Sequence, residues 1–175
     1  MRTVLITGGA QGIGAAVARK FLQEGFSGVL LVDRNAEKLA AMQKQIGKGV
    51  EIYKGDLHDA GTPAGAVAKA IKIFGRLDVL VNAAGNTERC GIADTTPEAF
   101  DRLFEVNVKA PLFMMQEAAR HMVPAKSGVV INVASMLAHG GPPNLATYSA
   151  SKSALMTLSR SAANTFNAMA FACFA

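Results

Sequence analysis

"TVLITGGAQGIGAAVARKFLQEG", residues 3–25, passes from an apolar run through a glycine-rich turn into a stretch where Val17, Phe21 and Leu22 recur at helical spacing. Gly25 stops that pattern, so the segment reads as strand, turn and helix. Within it "TGGAQGIG", residues 7–14, joins the strand to the helix. Glycines at 8, 12 and 14 let the backbone turn tightly and approach a pyrophosphate, whose charge is met by free amides at the helix amino end. The three residues between Gly8 and Gly12 depart from the standard dinucleotide spacing. A second feature stands in register with the turn. Asp33 closes the next apolar run 19 residues beyond Gly14, near the offset of a carboxylate that grips adenosine ribose hydroxyls. Asp33 would repel a 2′-phosphate, which favours NAD over NADP; Arg34 beside it weakens that preference without reversing it.

The alternation continues outward. "GVLLVD" (28–33), "VEIYKGD" (50–56), "LDVLVNAAG" (77–85) and "GVVINVAS" (128–135) read as strands. Between them stand "NAEKLAAMQKQI" (35–46), opened by Asn35, a helix near 60–74, and the long helical stretch 96–122, interrupted in pattern at Pro111. "TYSASKSALMTLSR" (147–160) follows as the fifth major helix. Parallel neighbours need long crossovers, and those crossovers are helices. The fold class is therefore α/β: a doubly wound parallel sheet of about five strands, with helices on both faces, in one domain over residues 1–175.

Composition narrows the function classes. Half of the 175 residues are hydrophobic and 18% are charged, as in a folded globular chain. The net charge of +5 comes from scattered lysines and arginines, which excludes a nucleic-acid footprint. Cys90 and Cys173 form no CxxC, and no histidine cluster builds a metal site, so no metal is expected. No apolar run reaches the roughly 20 residues that cross a bilayer. The first strand, taken from Arg2, leaves no room for a leader, so a complete amino terminus and a cytoplasmic location are expected.

Further candidates fall at the carboxyl ends of later strands, the edge where ligands bind in this architecture. "GDL", residues 55–57, offers Asp56 to an adenine amine, or as a turn aspartate capping the next helix. Leu57 follows it, and "NAAG", Asn82, Ala83, Ala84 and Gly85, leaves space for a nucleotide.

Taken in order, "TGGAQGIG", "NAAG", the asparagine of "FEVNVKAP", the serine of "INVAS" and "YSASK" resemble the short-chain dehydrogenase/reductase family. The resemblance implies a Rossmann-type domain that binds a nicotinamide cofactor, NAD or NADP, a small alcohol or ketone substrate, and Asn107, Ser135, Tyr148 and Lys152 as the catalytic group. It implies cofactor contacts from Gly8, Gly12, Ile13, Gly14, Asp33, Arg34, Asp56 and Leu57, from Asn82, Ala83, Ala84 and Gly85, and from Tyr148 and Lys152. It also implies that Asn107 holds a water linked to Lys152, and that copies pair through the fourth and fifth major helices as a homo-oligomer.

Physical reasoning supports the Tyr148 and Lys152 pair independently. Residues four apart share a helix face. A free tyrosine has a pKa near 10, and a neighbouring ammonium favours its phenolate. Ser135 would hold the substrate oxygen while Tyr148 takes or gives its proton. Read alone, such a pair is more often a surface contact. His139 reads as a solvated loop residue, His58 and His121 as surface residues, and Met114 and Met115 as core or interface filling.

The last stretch, "SAANTFNAMAFACFA" (161–175), carries no charge and reads as a helix end. Family members continue further, through a Pro-Gly segment and more strands. The expectation is a domain incomplete at its carboxyl end, with the fifth strand an unpaired edge and stability weak or rescued by self-association. The alternative to an active oxidoreductase is a truncated module that binds NAD or adenine nucleotide without turnover. The loops "NTERCGIADTT" (86–96) and "MLAHGGPPNLAT" (136–147) are compatible with a sugar, a polyol or another oxo compound.

Overall fold

The computed structural model describes residues 2–166 and 170–174. Its strands are β1 (Thr3–Thr7), β2 (Gly28–Asp33), β3 (Val50–Lys54), β4 (Val79–Asn82), β5 (Val129–Val133) and β6 (Ala170–Phe174), in one sheet of order β3-β2-β1-β4-β5-β6. Every pairing is parallel. The chain winds outward from β1 to β3, then crosses back to β4 and winds the other way. That reversal opens a crevice at the carboxyl ends of β1 and β4, where an open α/β sheet binds its ligands.

Alternating side chains on each strand feed two apolar layers. Leu5, Leu30, Leu80 and Val130 meet Val67, Met114, Met115 and Met122 on one face. Val4, Ile6, Val29, Leu31 and Val81 meet Ala15, Ala18 and Leu39 on the other. Met114 and Met115 are fully packed core residues, as expected. The first face is covered by α3 (Thr62–Phe74) and α5 (Ala110–Met122), and the second by α1 (Gly12–Gln23) and α2 (Ala36–Ile46). Asn35 opens α2 as expected, its side chain accepting from the Lys38 amide at 2.9 Å. On the α1 face beside β5, Ile131 and Val133 join Ile13, Val17, Phe21 and Phe26 around an open apolar groove of about 450 Å³.

The long stretch 96–122 is divided. It contains α4 (Pro97–Phe104), a π turn (Glu105–Lys109) and then α5. Pro111 has no N–H to donate to the Asn107 carbonyl one turn back, and its ring crowds that oxygen. The helix widens instead, and the Ala110 amide reaches back to the Glu105 carbonyl.

The expected unpaired edge is corrected. The last helix, α6 (Ala146–Thr165), gives way to β6, which pairs with β5 from Val129↔Ala170 to Val133↔Phe174. A bare parallel strand presents a row of unsatisfied N–H and C=O groups, and a short uncharged segment returning beside it satisfies them. Absence of charge distinguishes strand from helix poorly in so short a run. The parts of the expected helix end at residues 167–169 and 175 lie outside the described residues. Among the described residues no helix is long and apolar enough to cross a membrane.

Candidate functional site

The crevice at the strand ends is a cleft of about 300 Å³. Its walls hold Gly8, Gly12, Ile13 and Gly14 from the first turn, Asp33 and Arg34 after β2, Asp56 and Leu57 after β3, and Ala83, Ala84 and Gly85 after β4. Gly8 has φ +68°, and a Cβ there would lie 2.8 Å from Ala84 Cα. A Cβ on Gly14 would lie 2.3 Å from the Gly8 carbonyl oxygen. The turn, the start of α1 and the exit of β4 are thus packed backbone against backbone, and only glycine fits. The Ala84 amide, 3.2 Å from Thr7 Oγ1, ties the same segments together. Gln11 precedes α1 without a side-chain cap on its first-turn amides, which suits an anion at that end.

Two amides orient Asp33. Ala10 N donates to Oδ2 at 3.3 Å and Asn35 N to Oδ1 at 3.0 Å. Asp56 lines the cleft, and its Oδ1 accepts from the His58 amide at 3.1 Å; this closes a local turn and does not cap α3, which Gly61 precedes without a side-chain cap. That amide holds the Asp56 carboxyl below its usual range, reinforced by the His58 ring with Nδ1 2.9 Å away. His58 is exposed, as expected of a surface residue, and also lines the cleft; Gln11, Asn86 and Val106 line it too and escaped the motif reading. Asn82 behaves differently from the other residues of "NAAG". Its side chain is buried and donates to Asn132 Oδ1 at 2.8 Å, while its three successors form the wall.

A second group abuts this wall. Lys152 is 4% exposed, and its Nζ donates to the Val133 carbonyl at 2.9 Å. That ammonium lies 6.0 Å from the centroid of the Tyr148 ring, one turn earlier on α6. A Cβ on Gly85 would lie 3.4 Å from Lys152 Nζ and 3.5 Å from Asn107 Oδ1, so cleft and group meet at this glycine. Asn107 is fully buried in the π turn. Its Oδ1 accepts from Asn86 N at 2.8 Å, and its Nδ2 donates to Asn86 O at 2.9 Å and to Ser151 Oγ at 3.0 Å. Ser151 Oγ donates in turn to the Tyr148 carbonyl at 2.7 Å. Ser135 follows β5 and caps a short 3₁₀ turn (Met136–His139), with Oγ accepting from Leu137 N at 3.2 Å.

The two remaining loops are joined beside this group. Glu88 accepts from Arg102 at 2.9 and 3.0 Å, and that guanidinium holds the Glu88 carboxyl below its usual range. Thr95 Oγ1 donates to the Gly91 carbonyl at 2.6 Å and lies 3.1 Å from Thr147 Oγ1. A Cβ on Gly91 would lie 2.8 Å from the Pro143 carbonyl oxygen. Among the described residues, no cluster of His, Cys, Asp or Glu could hold a metal ion.

Comparison with known proteins gives a consistent result. The family model described as short chain dehydrogenase matches residues 2–171. Sorbitol dehydrogenase of Cereibacter sphaeroides is 37% identical over 162 residues, covering 92% of this chain and 63% of that protein. Galactitol 2-dehydrogenase of Agrobacterium fabrum is 35% identical over 164 residues, covering 93% and 63%. Among solved structures, a metagenomic short-chain oxidoreductase in complex with NADP superposes with a TM-score of 0.93 at 33% identity, over 98% of this chain and 80% of that one. A short-chain dehydrogenase from Streptomyces avermitilis also gives 0.93, at 28% identity, over 98% and 64%. The chain spans less than two thirds of the length of these two curated relatives.

Proposed function

Because the chain belongs to the short chain dehydrogenase family, we propose that it is an NAD(P)-dependent oxidoreductase interconverting a secondary alcohol and a ketone, with Tyr148 as the acid/base group. One observation carries the reading: the glycine-floored cleft ends at Gly85, against which Lys152 Nζ and Asn107 are packed, with Tyr148 one turn from Lys152. The cleft fits a dinucleotide, because Gly8 and Gly14 let the turn close backbone against backbone beneath it, a Cβ on Gly12 would meet no protein atom within 4 Å, and the first amides of α1 lack a side-chain cap. Gly8, Gly12, Ile13 and Gly14 would hold the pyrophosphate, Asp33 the adenosine ribose, Asp56 and Leu57 the adenine, and Ala83 to Gly85 the inner half. The nicotinamide supplies the hydride acceptor or donor when bound.

Tyr148 removes the alcohol proton in oxidation and returns it in reduction. Ser135 leaves its acceptor side to Leu137 and donates its hydroxyl proton to the substrate oxygen. Lys152, anchored on the Val133 carbonyl, would serve the cofactor ribose from the side of the cleft that Tyr148 borders. Asn107 has its side chain occupied by Asn86 and Ser151, so its link to Lys152 runs through the main-chain carbonyl to which Pro111 supplies no N–H.

The ranking of NAD above NADP is not kept. Arg34 shares the wall with Asp33 and can pair with a 2′-phosphate, and one similar structure was solved with NADP. For substrate, a polyol panel comes first, because two similar proteins are named for sorbitol and galactitol. The deciding experiment titrates NAD and NADP, then assays alcohols for reduced cofactor in the parent and in Tyr148→Phe. Binding is expected in both and turnover in the parent alone. Turnover that persists in Tyr148→Phe would sink the acid/base assignment, and binding without turnover in the parent would favour a nucleotide-binding module.

A further inference from the structure

The helix that carries Tyr148 is docked on the sheet through polar contacts that stability alone does not call for. Asn132, fully buried on β5, donates through Nδ2 to Ser159 Oγ at 2.8 Å, with Met115 Sδ at 3.4 Å on the same nitrogen. Its Oδ1 receives Asn82 Nδ2. Ser159 Oγ donates to the Leu155 carbonyl at 2.7 Å, which leaves its lone pair for Asn132 and fixes the direction of the bond. The next residue of the strand, Val133, offers its carbonyl to Lys152 Nζ at 2.9 Å. Lys152 and Ser159 stand about two turns apart, and so on one face of α6. Consecutive residues of β5 therefore grip the helix at two heights.

A buried amide and hydroxyl bring little net stability, since desolvation offsets most of the bond. They do bring a unique setting. Apolar faces slide at small cost, whereas a hydrogen bond stretched by an ångström is lost. Neither Asn132 nor Ser159 lines the cleft, so their effect on it must pass through α6.

We propose that Asn132 and Ser159 are positioning residues that fix the axial setting of α6, and with it the height of Tyr148 and Lys152 over the nucleotide cleft. The inference rests on Tyr148 being the acid/base group, and its test separates the two claims. The chain has two tyrosines, Tyr53 and Tyr148, and no tryptophan. With ring-labelled tyrosine, two sets of NMR signals report α6 and β3 separately, whether or not the protein turns over substrate. Ser159→Ala is expected to displace the Tyr148 signal and leave Tyr53 in place, and Ser159→Thr, which keeps the hydroxyl, to restore it. The kcat of Ser159→Ala should fall on the order of tenfold or more. Ser159→Cys, which keeps the volume and weakens the acceptor, carries the same comparison should the alanine variant not fold. An unmoved Tyr148 signal, equal displacement of both tyrosines, or a displaced Tyr148 with unchanged kcat overturns the proposal. A parent that never turns over defeats the acid/base reading alone, while the NMR comparison still decides whether Ser159 sets the helix.

Discussion

Asp33 is held by two backbone amides, from Ala10 and Asn35, so its carboxylate is oriented before any ligand arrives. Under the proposed function, a 2′-phosphate at this wall would meet both that fixed charge and Arg34, which line it together. On that reading the balance between NAD and NADP is a contest between two neighbouring side chains. Replacing Asp33 with Ser removes the repulsive member and keeps a hydroxyl for the ribose. The ratio of NADP to NAD affinity should then rise by on the order of tenfold, about 1.4 kcal/mol. Parallel titrations of parent and variant with both nucleotides measure it, and an unchanged ratio would show that Asp33 does not face the ribose. At this scale the sequence was informative wherever a residue type has few uses. Glycines that admit no Cβ and a carboxylate closing a strand announce themselves by spacing. Gln11, His58 and Asn86 do not, because residues of their kind line turns everywhere.

The π turn at Glu105–Lys109 makes the corresponding point for elements. Asn107 reads from sequence as a misfit inside a helix, and Pro111 as an interruption of the same helix. Their connection is geometric: the proline stands one turn after Asn107 and removes the N–H that a regular helix would have supplied. What sequence could not supply is the partner. Asn86 arrives from the exit of β4, and only the folded chain brings its amide and carbonyl against the Asn107 side chain. Asn107→Ala leaves both groups and Ser151 without that partner in a buried place. We expect a loss of about 2–4 kcal/mol of stability by urea unfolding, and a change within 0.5 kcal/mol would mean that water replaces the side chain at little cost. The same limit explains β6. Local pattern does not distinguish a short apolar strand from a helix end, and the deciding term is the open edge of β5, far away in sequence.

For the whole molecule, the alternation of strands and helices was legible because each parallel crossover is long enough to show its own period. Burial across the two faces was not. Both layers under β1 and β2 are closed, but the α1 face beside β5 holds the groove lined by Ile13, Val17, Phe21, Phe26, Ile131 and Val133. That groove has a calorimetric consequence. The heat capacity change of unfolding measures apolar surface newly wetted, and surface already wet in the native state adds nothing to it. The isolated chain should therefore unfold with a heat capacity increment per residue below the usual range of roughly 12–15 cal/mol/K. Scanning calorimetry over a series of pH values tests this, and an increment within that range would mean that the groove is covered in solution. A low increment flattens the stability curve, so that this protein would lose less of its stability on cooling or warming away from its optimum than a chain of the same length with both sheet faces closed.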